Sequence, residues 1–543
     1  MRRLMKMCSL AVTFIMLLAI ALAGCGSAET DKETSKAAVQ TSADAVTTAP
    51  AAEVAWDKNK KDKIVVSVIN MYYTAGEKKL AEEYMKLHPE TEVQIEVLAD
   101  NSTYMTNFST KISTDKNQAP DIVHWNIAIG TKSPTDAVNS GWLMDIAPVL
   151  DEINPYNDNK KVREAFREDH IKWAMSGGQG KLLHMPFDEG GTGIYYNKTI
   201  FEKNGLKVPA TYEELIELCK KLQELGYKNP IAASGVATWY VTSLADWAYR
   251  SNTADFLTLP GDALYDEAAM KENTSIKFDA NDPNFDRYAM FNTEKLYAFA
   301  KKNGFNTPTN KMIQETYINL AKYFQPNWTS PDDNKVSVDF ITQNSPMMWN
   351  GSWIVGKFVD DVKKLPADKQ FQWGTFQVPG FANPAAPFQG NIRSLDFLAN
   401  AMGIVPKDDK DHMSRVIDFY KYWYSPNGAK MCYEETLASG NYVQGPCVIE
   451  GVTLPDELNS YLEGFKTDGA MRFEFQDISG NGASARQADL PALYALYLDA
   501  SAGKITIDQF MTEASKLWML RLDELIAQAN LDLDPKTKDE PKK

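Results

Sequence analysis

Three neighbouring segments decide the fold: KIVVSVI (Lys63–Ile69), then Glu77–His88, then VQIEV (Val93–Val97). The first is a β-branched run and reads as a buried strand. The second carries Leu80, Tyr84 and Leu87 on one helical face and is stopped by Pro89. In the third, Val93, Ile95 and Val97 alternate with Gln94 and Glu96, which is strand periodicity. Strand, helix and strand so spaced form a βαβ unit, which predicts an α/β fold with a mostly parallel sheet and covering helices. Asp121-Ile122-Val123 after Pro120 adds a short buried strand, and Gly193–Tyr196 another. Thr211 and Glu214 form a capping box that opens a helix running to Gly226. Met347-Met348-Trp349 is a strand ending in the turn Asn350-Gly351. From about Ser414 onward the pattern is helical and rich in Tyr, Trp and Leu.

Outward from this body, the amino-terminal segment has a different character. Arg2, Arg3 and Lys6 precede the uncharged run Cys8–Ala23, which is shorter than the roughly 20 residues a bilayer-spanning helix needs. Basic, apolar and then small residues is the order of a secretory signal peptide. Its end, Leu22-Ala23-Gly24-Cys25, closely resembles a bacterial lipobox, in which the chain is cut before the cysteine and lipid is attached to its thiol. Residues 1–24 are therefore expected to be a signal peptide and Cys25 a lipidation site. Residues 26–55 are mostly small, polar and charged, which predicts a flexible tether over 25–60 that spans on the order of 30 Å.

The body, about Lys61 to Leu533, is too long for one compact domain of ordinary size. With 44% hydrophobic and 24% charged residues it can build a substantial core. The net charge of −15 and the lack of a basic patch argue against nucleic acid as a partner. Of five cysteines, Cys8 leaves with the signal, and Cys219 lies among Leu215, Leu218 and Leu222 as a buried apolar residue. Cys432 and Cys447 either pair in an oxidising compartment or stay free.

Little of the sequence looks catalytic. The five histidines are scattered, without a His-Glu-x-x-His pair, and there is no Gly-x-Ser-x-Gly elbow. Gly177-Gly178-Gln179-Gly180-Lys181 fails the phosphate-loop pattern at Met175 and Leu182 and reads as a turn between two strands. Asp279, Asn281, Asp282, Asn284 and Asp286 lack the Gly and distal Glu of a calcium loop, so a helix-entry turn is the better reading there. Asp188-Glu189 is an acid pair, but adjacent residues rarely hold the separation a glycosidase needs. No cofactor, resident metal or catalytic residue is expected.

Several segments, in order along the chain, resemble the extracellular solute-binding proteins of ATP-driven (ABC-type) importers. The likeness is to the large carbohydrate-binding group that includes maltose-binding protein. The segments are APDIV (Ala119–Val123) with His124-Trp125, MPFDEGGTGIYYNKTIFEKNGLKVPATYEEL (Met185–Leu215), SPMMWNGSW (Ser345–Trp353), and Pro387–Pro406 ending in MGIVP. Together they cover about residues 61–530. The resemblance implies a two-lobed periplasmic-binding-protein-like fold whose discontinuous lobes are joined by crossing hinge strands. Crossings are expected near Pro186–Gly190, Thr342–Met347 and Gly390–Phe397. That makes lobe one 61–187 with 346–392, lobe two 188–345 with 393–535, and 536–543 a polar tail. It implies capture of a carbohydrate, of oligosaccharide size, and its delivery to a membrane permease. The protein would be a monomer held at the outer face of the cell membrane through lipid alone. The body is longer than a simple maltose-type binder, with the excess in 252–345 and after 425. A secreted glycan hydrolase and a sensory lipoprotein on the same fold are the alternatives.

A sugar offers apolar ring faces and a rim of hydroxyls, so aromatic residues beside polar ones at strand ends are the candidate ligand contacts. They are Trp125-Asn126 after the strand at 121–123, Asp188-Glu189 at the first crossing, and Trp349, Asn350 and Trp353 around Gly351. Arg393 at the third crossing, Trp239, and Tyr73 after the first strand complete the set. For each tryptophan core packing is the competing reading. For Asp188 it is hinge support, and for Arg393 a salt bridge across the hinge.

Overall fold

A computed structural model of the chain describes residues 56–533 apart from 70–71, 130–131, 133, 263–264, 266, 268–288, 331–332, 384–391, 395, 466–470 and 482–484. The signal segment, Cys8, Cys25, the tether up to residue 55, the acidic stretch Asp279–Asp286 and the tail at 536–543 lie outside the described residues.

The βαβ unit forms as its pattern predicts. Strand β1 is Asp62–Ile69, helix α1 Thr74–Leu87 and strand β2 Thr91–Leu98. β1 and β2 pair in parallel, with Ile64 opposite Val93, Val66 opposite Ile95 and Val68 opposite Val97. Ile64, Val66 and Val68 are wholly buried, as β-branched residues in a covered parallel sheet should be. β3, Ile122–His124, lies parallel to β1 on its other side. The fourth strand of this sheet comes from far along the chain: Met402–Ile404 runs antiparallel to β3. The sheet order is thus 402–404, β3, β1, β2.

The second sheet is organised about β4, Asp188–Asn197. Beyond it come helices α2 (Tyr212–Glu224) and α3 (Trp239–Tyr249), then strands β5 (Ile231–Ala232) and β6 (Met347–Gly351). Helix α4 is Val355–Lys363, strand β7 Trp373–Phe376, strand β8 Asp396–Ala399, and the strand at 402–404 is β9. β6, β7 and β8 all run antiparallel to β4, and only β5 and β6 are parallel. A mostly parallel fold therefore holds for the first sheet and fails for the second. The βαβ pattern at 63–97 reports a local unit, whereas β4 recruits partners more than 150 residues downstream.

Sheet membership also departs from the expected division of the chain. Residues 347–351 and 373–376 join the sheet of β4, and residues 402–404 join that of β1. Helices α5 (Lys410–Trp423) and α6 (Pro426–Ala438) likewise pack on β1 and α1. At Gly76 of α1 a methyl group would stand 2.1 Å from the Cys432 carbonyl oxygen of α6, so only glycine permits this approach.

The chain passes between the sheets near Phe187–Gly191, at Asp396–Met402 between β8 and β9, and again at 443–455. In that last pass Val448 N donates to Phe187 O at 2.9 Å, and the chain then reaches helix α7, Asp456–Leu462, beside α4 and β7. No crossing occurs at Thr342–Met347, where β6 stays within the second sheet.

Smaller readings are adjusted too. Thr211 caps α2 by accepting from Glu214 N, while the Glu214 carboxylate returns to Ala210 N rather than to Thr211. The turn at 177–181 follows a helix, Glu168–Gly177, instead of joining two strands. Cys219 is buried on α2, and Cys432 and Cys447 are free thiols. No helix among the described residues is long and apolar enough to cross a membrane.

Candidate functional site

The crossing segments meet at Asp188. Its carboxylate is wholly buried, and Oδ2 accepts the hydroxyl proton of Tyr73. Gln444 N, from the third crossing, lies 3.2 Å from Oδ2 and 3.0 Å from the Tyr73 oxygen. The Tyr433 hydroxyl of α6 lies 3.3 Å from that of Tyr73 and donates to Gly445 O at 3.1 Å. Asp188 Oδ1 has no hydrogen-bond partner among the described residues. Every donor here is neutral. Burial therefore prevails over the bonds from Tyr73 and Gln444, and the carboxyl is pushed up to about 7.

The backbone at this point is tightly held. Tyr73 has φ 47°, the left-handed region that a bulky side chain seldom adopts. A methyl at Gly445 would fall 1.7 Å from Glu189 O. Glu189 N donates to Pro446 O at 3.0 Å, and Glu189 Oε2 lies 3.2 Å from His170 Nε2 with the carboxylate 30% exposed. The Ser352 hydroxyl accepts from Gly191 N at 3.0 Å and donates to Gln444 O at 2.5 Å, so the turn after β6 is tied to the same crossings.

Two half-buried tryptophans flank this knot. The Trp353 ring lies over Gly351 and 5.9 Å from Phe397 of β8, which is itself paired with Gly190. The Trp125 ring is stacked on His184 at 5.1 Å and 13°, and its backbone N donates to Ala401 O at 3.1 Å. Burial drives His184 down to about 4, so this stack is between neutral rings near pH 7. Asn126 beside it is exposed. Trp125, Asn126, Glu189 and Trp353 thus present accessible side chains around the crossings, while Tyr73 and Asp188 lie sealed beneath.

The remaining candidates lie elsewhere. Trp349 is 2% exposed in the core beneath the second sheet, 5.2 Å from the Tyr240 ring, where the sequence led us to expect a ligand-facing ring. Alternation along β6 sends Met347 and Trp349 to that core and Met348 to the opposite one. Asn350 is buried, its Oδ1 accepting from Gly351 N at 2.8 Å. Trp239 starts α3 with its ring edge-on to Phe473. Arg393 forms a buried ion pair with Asp246 of α3, at 3.0 Å from Nε and 2.7 Å from Nη2. The sequence reading missed Tyr433, Gln444, Phe397, His184 and Ser352. Phe397 sits in a segment already singled out, whereas Tyr433 and Gln444 carry no local signal. Among the described residues no cluster of three or more His, Cys, Asp or Glu is placed to hold a metal.

A model of the family described as bacterial extracellular solute-binding protein matches residues 70–430, a span that contains the second sheet, the first sheet apart from β1, and Tyr73 and Asp188 of this knot. The chain belongs to that family. Among curated relatives, the multiple sugar-binding protein of Streptococcus mutans serotype c is 24% identical over 334 residues. That match takes in 60% of this chain and 64% of the relative, so the chain spans less than two thirds of the relative's length. Among solved structures, RafE of Streptococcus pneumoniae in complex with raffinose superposes with a TM-score of 0.53 at 18% identity, covering 84% of this chain and all of that one. A chitin oligosaccharide binding protein does so with a TM-score of 0.54 at 16% identity, covering 85% and 99%. At such identity the likeness establishes the fold: this solute-binding protein has the two-lobed α/β architecture in which each sheet draws on separated parts of the chain.

Proposed function

We propose that this solute-binding protein captures a carbohydrate of oligosaccharide size between its two sheet-centred lobes and delivers it to the permease of an ABC-type importer. In this reading residues 1–24 are removed, Cys25 carries lipid, and the tether to about residue 60 leashes a monomeric receptor to the outer face of the membrane. The chain acts by binding and release, without turnover. One lobe is built on β1–β3 and β9 and the other on β4–β8. Trp125, Asn126, Glu189 and Trp353 contact the sugar, while Asp188 and Tyr73 hold the hinge beneath it. The observation that carries the reading is the pair of accessible indoles, Trp125 and Trp353, set beside polar side chains where the segments joining the sheets converge. Aromatic faces and charged hydrogen-bond partners are what a sugar's apolar faces and hydroxyl rim require. The protein's relatives include a multiple sugar-binding protein, RafE in complex with raffinose and a chitin oligosaccharide binding protein, which supports the ligand class.

Calorimetric titration against a panel of neutral oligosaccharides tests this directly. We expect saturable binding of at least one, weakened at least tenfold by Trp353→Ala with the melting temperature unchanged. No binding across the panel overturns the carbohydrate reading, and unchanged affinity in the variant removes Trp353 from the site.

A further inference from the structure

The helix Glu168–Gly177 brings one buried imidazole to the crossings. His170 is buried with Ile171, Ala174 and Met175 of the same helix, and its Nε2 lies 3.2 Å from Oε2 of the partly exposed Glu189. Its Nδ1 is buried too and has no hydrogen-bond partner among the described residues. These two observations decide which nitrogen carries the proton. A neutral ring protonated at Nε2 gives its one N–H to Glu189 and leaves only a lone pair unmet at Nδ1. A ring protonated at Nδ1 would bury an unpaired donor and turn a lone pair toward the carboxylate, which is the costlier arrangement.

The backbone of Glu189 is already fixed from three directions. Its N–H donates to Pro446 O at 3.0 Å, it pairs with Leu398 of β8, and Gly445 packs against its carbonyl where no larger residue fits. What freedom is left lies in the rotatable bonds of the side chain, and His170 holds the far end of these. Arg167 at the start of the helix adds positive charge nearby, but it is more than half exposed and donates from Nε to Asp169 at 3.1 Å. A glutamate with a loose tip must be ordered when a ligand arrives, and ordering one such side chain lowers affinity by about two- to tenfold. A tip held in advance by a buried donor avoids that loss.

We propose that His170 is a positioning residue for ligand capture, an inference that rests on the reading of Glu189 as a sugar contact. His170 touches no ligand. It donates from Nε2 to Glu189 and so sets the direction from which that carboxylate accepts the sugar's hydroxyl protons.

The test has one arm without sugar and one with it. Long-range ¹H–¹⁵N NMR of the histidine rings in the unliganded protein, with His170 assigned by its loss in His170→Gln, should show a proton on Nε2. A bare Nε2 overturns the proposal whatever the protein binds. The second arm is calorimetry with an oligosaccharide that binds, the fold of each variant being checked by circular dichroism. His170→Met, which fills the space but donates nothing, should weaken binding at least threefold, and His170→Gln, which keeps an N–H donor, should recover most of that loss. In a Glu189→Ala background, where no carboxylate is left to hold, His170→Met should add nothing. The proposal is overturned if His170→Met binds as the unmodified protein does, if His170→Gln is no better than His170→Met, or if the loss persists undiminished without Glu189. In each of these cases sugar is still bound and the carbohydrate reading stands. If no oligosaccharide binds, that reading falls and the role of His170 falls with it.

Discussion

Two aspartates, Asp188 and Asp246, are both wholly buried and yet titrate in opposite directions. Around Asp188 the donors are a tyrosine hydroxyl and backbone N–H groups, and burial pushes its carboxyl up to about 7. Around Asp246 burial also favours the neutral acid. There, however, Arg393 grips both oxygens, Arg250 adds a bond at 2.8 Å and Arg472 N another at 3.1 Å. The net result is a carboxylate held below its ordinary value. Burial costs each a similar desolvation, and the charge of the partner decides the outcome. One aspartate, within a lobe, is locked in its ionised form. The other, at the crossings, is poised to change charge close to neutral pH.

The contrast breaks most visibly at Arg393. Arg393→Met leaves Asp246 buried without its bidentate partner, and we expect a loss of about 3–5 kcal/mol in urea unfolding. A midpoint unchanged within error would show that Arg250 alone suffices. Asp246 supports stability above the carboxylate's ordinary value, and that support fades as pH falls through its lowered native value.

Asp188 should show the reverse sign. Between 3.8 and about 7 the folded protein keeps a proton there that the unfolded chain has released, so stability from this group declines as pH rises through that window. The slope is at most about 1.4 kcal/mol per pH unit. Asp188→Asn removes this component, and its stability–pH profile should be flatter than that of the unmodified protein from pH 5 to 7. Superimposable profiles would place the titration on another group.

What was legible in the sequence follows the same division between local and distant partners. The unit β1–α1–β2 and the Thr211 cap are written in residues a few positions apart and form where periodicity and capping chemistry put them, whereas Asn350-Gly351, expected to be a turn, continues β6 opposite Gly193 and Thr192. Membership of the sheets is not local. Met347–Gly351 pairs with β4, and Met402–Ile404 with β3, through backbone bonds that any sequence could make. Their assignment to the wrong lobe is therefore what a reading of side-chain pattern should be expected to miss. The same applies to the knot at Asp188, since Tyr73, Asp188, Tyr433 and Gln444 come from four separate stretches of chain. Trp349 shows the remaining ambiguity. An aromatic residue at a strand end serves core or ligand equally well, and which face of the strand it occupies is settled by pairing partners from distant sequence.

The smallest effect should come from Tyr73, and it is the most diagnostic. Tyr73→Phe keeps the ring and the left-handed backbone at φ 47°, so strain is common to both proteins and cancels. What is lost is one hydroxyl that donates to Asp188 and accepts from Gln444 N. Removing a donor from a buried acceptor costs about 1–3 kcal/mol, more when the acceptor is charged. Above about pH 7 Asp188 is ionised and needs that donor; at pH 5 it is a neutral acid and needs it less. The decrement in unfolding free energy should therefore be larger at pH 8 than at pH 5. The hydroxyl also helps to hold the Asp188 carboxyl down, so its loss should move the titration to higher pH. A decrement equal at both pH values would mean that Tyr73 fills space beside the aspartate and does not sense its charge.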